Sequence, residues 1–191
     1  VGMDATLKGT GITVEAVNKG GAENDYIAWG LSAAGGASQE KGGLSLAGSI
    51  GVQVLSFHTE ANVGMGAHLI SNGSIAVHAE NKIGLQSMAL AGSGSAGGAA
   101  VGGAIVVNVF PDITTKAVVD SNTSTHITQL DALAGTSITA KSAVVEAPFP
   151  EVPLITLPAL SGVALAGGAS TGGAAVSGSV IVNVLFLTTK A

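Results

Sequence analysis

Thirteen residues from Gly97 to Val109, GGAAVGGAIVVNV, return from Gly172 to Val184 as GGAAVSGSVIVNV, with nine of the thirteen positions identical. A weaker copy, GGLSLAGSIGVQV from Gly42 to Val54, keeps six of the thirteen. No other feature restricts the fold as much. A unit that recurs along a chain must meet the same surroundings each time, which is the condition of a repeat architecture.

Two further elements repeat in step with the first. GITVEA, SIAVHA and SITAKS place Ile12, Ile75 and Ile138 at two equal intervals of 63 residues. Each alternates: Ile12, Val14 and Ala16 lie on one face with Thr13 and Glu15 on the other. Ile75, Val77 and Ala79 oppose His78 and Glu80, and Ile138 and Ala140 oppose Thr139 and Lys141. A two-residue period is that of a half-buried strand. The third element, TTKAVVD from Thr114 to Asp120, returns as TTKA at Thr188 and, more loosely, as HTEANV at His58. Three pieces in 63 residues predict coils of about 21 residues, each covering the next in an all-β solenoid. On that spacing 191 residues make about nine coils and a rod of roughly 40 Å, and copies of the glycine-rich element stand three coils apart without touching. The matching amides Gln53, Asn108 and Asn183 are then expected to bond to turn backbone or to neighbouring coils.

Composition agrees with thin layers. Apolar residues make up 47% and charged residues 10%, which favours a packed chain over a disordered one, while aromatics are only 3%, so the core must be built from small and β-branched side chains. The 29 glycines suit corners and close sheet contact, a role expected of Gly98, Gly103, Gly173 and Gly178. Charge-free stretches between Lys82 and Asp112 and between Glu151 and Lys190 are long enough to span a bilayer. Their paired glycines and β-branched runs point to buried strands instead, and an outer-membrane barrel lacks its aromatic girdles. No integral membrane span is expected.

Seven scattered basic residues and a net charge of −5 offer no cationic patch for nucleic acid. The absence of cysteine rules out disulfides and thiolate metal sites and suits export of a repetitive chain. No catalytic constellation emerges: acids are dispersed rather than gathered as sugar-acid chemistry requires, and no phosphate loop, dinucleotide fingerprint or nucleophile elbow occurs. His58, His68 and His78 fall ten apart, a spacing that fits no common metal-ligand pattern, and they are expected on solvent-facing strands or turns. No calcium-type GGxGxD motif is present. The chain is therefore expected to be no enzyme and to need neither cofactor nor metal.

The pattern breaks at VVEAPFPEVPLITLPA, residues 144–159, which holds four of the five prolines and cannot continue a central strand. This insert is expected to leave the solenoid as a lateral loop. A smaller excursion is expected at Ser38 to Lys41. Phe149, flanked by Pro148 and Pro150, with Leu154 and Ile155, forms the expected contact site, because apolar groups on a stiffened loop lose little entropy on binding. The competing expectation is that Phe149, Leu154, Ile155 and Leu157 fold back over a solenoid face. Glycosylation triplets stand at Asn72 and Asn122 in turn-like surroundings.

The run VGGAIVVNVFPDITTKAVVD, followed by GTSITAKS and an ALAGGAS restart, resembles the repeats of the very large leukotoxin-type filamentous adhesins that Gram-negative bacteria export by two-partner or autotransporter routes. The resemblance implies a right-handed parallel β-helix stalk, secreted or held at the bacterial surface. It implies a role in attachment or host-cell damage, with a host surface as partner. Residues 1–191 then form one solenoid segment of a longer repetitive chain. The proline-rich insert departs from a plain repeat. The alternative is a self-assembling fibre or sheath subunit whose ends or flat faces pair with copies of itself.

Overall fold

The computed structural model describes residues 1–19, 25–37, 43–120, 125–144 and 160–191. The chain is all-β, with no helix among the described residues. The strands, in chain order, are β1 (Thr6–Gly9), β2 (Ile12–Asn18), β3 (Asp25–Ala37), β4 (Leu44–Val63), β5 (His68–Ser71), β6 (Ile75–Ala96), β7 (Ala99–Val119), β8 (Gln129–Ala132), β9 (Thr136–Val144), β10 (Leu160–Ser170) and β11 (Ala175–Lys190).

Every pairing is parallel, and every one joins a strand to its counterpart in another repeat. The short sheet runs β1–β5–β8. The long β6 pairs through its first part with β2 and β9 and through its second part with β3 and β10. The last sheet runs β4–β7–β11. The middle repeat thus lies at the centre of each sheet, and the first and third repeats supply the outer strands.

These pairings correct the 21-residue coil. Asn108 and Asn183, 75 residues apart, are hydrogen-bonded neighbours, with Asn108 Nδ2 donating to Asn183 Oδ1 at 2.8 Å. Asn18 and Asn81, 63 apart, repeat the arrangement at 2.8 Å. Each sheet therefore advances by a whole repeat, and the glycine-rich copies touch one another directly. The three elements within a repeat differ in sequence, and each finds its like one repeat on, where matching side chains stack into columns. At every level a sheet is only three strands deep, about 10 Å, not the height of nine coils.

The Ile12, Ile75 and Ile138 column holds only in part. Ile12 pairs with Ile75, but Thr136 stands opposite Ile75 and Ile138 opposite Val77. The register is set upstream, where His68 pairs with Gln129, and the following turns into β6 and β9 are of equal length. A shift of two residues leaves every side chain on its own face, so the alternation survives it.

Alternation fixes what is buried. Along β6 the odd positions Ile75, Val77, Ala79, Asn81, Ile83 and Leu85 turn inward. One core cluster gathers Ile12, Val63, Leu69, Ile75 and Val77. A second holds Phe57, Ile83, Leu85, Phe110 and Ile113, and Tyr26 meets Phe57 edge-on at 4.9 Å. Beyond it the core thins to Ala89, Ala91, Ala104 and Val106. Bulges fall between Val54 and Ser56 and between Leu185 and Leu187. Past them the TKA columns hold: His58, Thr114 and Thr188 align, as do Thr59, Thr115 and Thr189.

The glycines divide into two kinds. A side chain at Gly98 would overlap the Gly43 carbonyl oxygen, and one at Gly173 would overlap that of Gly98, so both are required by close approach of stacked backbones. Gly103 and Gly178 have open space where a Cβ would lie, which corrects the expectation for them. Gly102, which was not singled out, would bring its Cβ to 2.6 Å from the Gly167 carbonyl oxygen. Gly97 adopts φ 94° and marks the bend between β6 and β7.

Candidate functional site

The expected contact residues Pro148, Phe149, Pro150, Leu154 and Ile155 lie outside the described residues, as do Ser38 to Lys41 and Asn122. Asn72 lies exposed in the turn between β5 and β6.

The histidines do not gather. His58 lies on β4, His68 on β5 and His78 on β6, and no group of three or more metal-binding side chains occurs among the described residues. Each histidine instead faces a carboxylate. His58 Nε2 is 2.9 Å from Asp112 Oδ2, and His68 Nε2 is 3.0 Å from Asp131 Oδ2. His126 Nε2 lies 3.3 Å from Asp4 Oδ2, and His78 Nε2 lies 3.7 Å from Glu80 Oε2. Except at His78, partners come from different repeats. Stacking at constant order, not ligand spacing, brings them together.

Three carboxyls are held below the usual carboxylate range. At Asp131 hydrogen bonds from His68 and then Gln129 are responsible. At Asp112 the main cause is the hydrogen bond from Thr114 Oγ1, 2.6 Å from Asp112 Oδ1. At Glu80 it is the bond from Lys82, with Lys141 adding charge. A carboxyl with a lowered folded value stabilises the fold above its ordinary range and loses that contribution as pH falls through the lowered value. The thermal midpoint should therefore drop on acidification below about pH 4, and less steeply in Glu80→Gln. A midpoint that rises over that interval would contradict these contacts.

The outward side of the β4–β7–β11 sheet is an apolar strip. Its columns are Leu46–Val101–Val176, Ile50–Ile105–Val180 and Val52–Val107–Val182. Between the first two runs a glycine column, Gly48–Gly103–Gly178, which leaves a groove of about 640 Å³. No titratable side chain lines the groove, and Ser49 is its one hydroxyl-bearing residue. Gly103 and Gly178 were expected at corners or in close sheet contact, and the groove becomes visible only once the three copies are laid side by side in register.

The sheet ends are exposed as well. β4, twenty residues long, and β11, sixteen, are the outer strands of their sheet, each with one edge unpaired among the described residues. Inside the same sheet Gln53 Nε2 donates to the carbonyls of Tyr26 at 3.0 Å and Gln86 at 2.9 Å, which ties the amide column to the facing sheet. No helix of the described residues is long and apolar enough to cross a membrane. No protein-family model, curated protein or solved structure matches this chain.

Proposed function

We propose that the chain is a structural shaft: a segment of a right-handed parallel β-helix that acts, without enzymatic activity, as a rigid stalk in a secreted or cell-surface adhesin of the leukotoxin type. One observation carries this reading. Each strand of the middle repeat pairs in parallel with its counterparts on both sides, so one repeat serves as the template for the next. Such stacking extends along one axis without a new kind of contact and resists bending through backbone ladders and stacked side-chain columns.

A single polypeptide of four chain copies in tandem tests the reading. Electron microscopy should show straight rods that lengthen by about 14 Å per added copy, three strand spacings each. Surfaces coated with the tandem should capture host cells better than surfaces coated with an unrelated β-protein. Flexible beads of random orientation would overturn the stalk, and rods that capture no cells would overturn the attachment role.

A further inference from the structure

The two ends of the stack fit one another. Continuing the observed registers by one more step sets the third repeat of one molecule against the first repeat of the next. Lys8, Ile70 and Asp131 form one column, so the next member above Asp131 is Lys8 of the following copy. Glu60, Lys116 and Lys190 form another, so the next member above Lys190 is Glu60 of the following copy. Among the described residues the column neighbour of Lys190 is Lys116, a like charge. A second molecule restores the alternation of sign.

The remaining positions are compatible. Asn183 would meet Gln53, and Ser142 would meet Asn18, which extends both amide columns. Val176 would meet Leu46, Val180 would meet Ile50 and Leu165 would meet Leu31. Lys141 would stand against Val17, and Glu15 against Thr139, so no like charges meet at the described strand positions. Opposite charges directly across a strand pair stabilise it and like charges oppose it, which makes the register selective. A free edge strand is a ready template for another chain, and this contact joins unlike surfaces, so each added copy presents the same edge again.

We infer that a second copy of this chain docks head to tail, its first-repeat edge on the third-repeat edge of the molecule before it, and that the columns Asp131–Lys8 and Lys190–Glu60 set the register. The inference rests on the stalk reading's parallel stacking and adds to it an association between separate molecules.

Sedimentation velocity of the purified chain over a hundredfold range of concentration tests it. The mean mass should rise with concentration. Lys190→Glu sits favourably beside Lys116 in its own molecule but opposes Glu60 of the next, so it should weaken association about fivefold or more with the melting midpoint kept. Lys8→Glu and Asp131→Lys should each weaken it alone, and an equimolar mixture of the two should restore it, because every junction then joins opposite charges. A wild-type chain that stays monomeric throughout would overturn the inference and assign the edges to strands outside these residues, leaving the tandem rods of the stalk reading untouched. Association unchanged in Lys190→Glu and Lys8→Glu would overturn it as well, by showing contact through another surface.

Discussion

Gly98→Ala is expected to destabilise the chain by about 3 kcal/mol, while Gly103→Ala changes stability by no more than about 0.5 kcal/mol. The two glycines are five residues apart in the same repeated stretch and look equivalent in sequence. A methyl group at Gly98 runs into the Gly43 backbone of the neighbouring repeat, and backbone held in a ladder cannot move aside as a side-chain end can. At Gly103 the added methyl points into the open groove of the β4–β7–β11 sheet. Urea titration of the two variants measures the difference, with Thr13→Ala and Thr139→Ala as outward controls that should fall within about 0.5 kcal/mol of the parent. Equal losses at Gly98 and Gly103 would mean that the stacked backbones do not approach as closely as described.

Phe110→Ala should cost about 3–5 kcal/mol. Phe110 is wholly buried and packs with Phe57, Ile83, Leu85 and Ile113 where the core is widest. These neighbours are held on paired strands and cannot move in to close the cavity. Leu31→Ala provides the contrast: Leu31 is 83% exposed on β3, and its truncation should be nearly silent. Thermal melts of both variants, read by circular dichroism, check the assignment of faces. A loss at Leu31 as large as that at Phe110 would reverse it.

The strands and their faces were legible in the sequence because alternation is written locally. Val14 against Glu15 states which side is wet whatever strand lies beside it. Alignment of the copies was legible too: Asn108 with Asn183, and Thr114 with Thr188 and His58, are the observed pairs. What a periodic pattern does not state is which strand comes next in space. Dividing 63 residues among three elements assumed that unlike elements cover one another. Like stacks on like instead, because valine on valine and asparagine on asparagine fill a column without mismatch. The displacement of Ile138 to Val77 escaped for a related reason, since a two-residue slip changes the neighbour but not the face. Among the four singled-out glycines, local sequence is identical in kind at Gly98 and Gly103, and only the position of the adjacent backbone separates a required glycine from a tolerant one. For the candidate site, the break in the sequence pattern from Val144 to Ala159 falls, beyond Val144, outside the described residues, as do the contact residues expected there. The His–carboxylate pairs were not legible, because their partners are joined only when repeats are stacked in register.

The claim on which the rest depends is that neighbouring strands belong to successive whole repeats. Engineered disulfides test it directly in a chain that has no cysteine of its own. Val107 and Val182 are paired on the outward face of β7 and β11. Paired strands hold such residues about 5 Å apart, within the Cα separation a disulfide accepts. Val107→Cys/Val182→Cys should oxidise under mild conditions, and Val107→Cys/Thr128→Cys, separated by about one 21-residue coil, should stay reduced. A disulfide that forms readily in the second pair and not in the first would contradict the stacking of whole repeats.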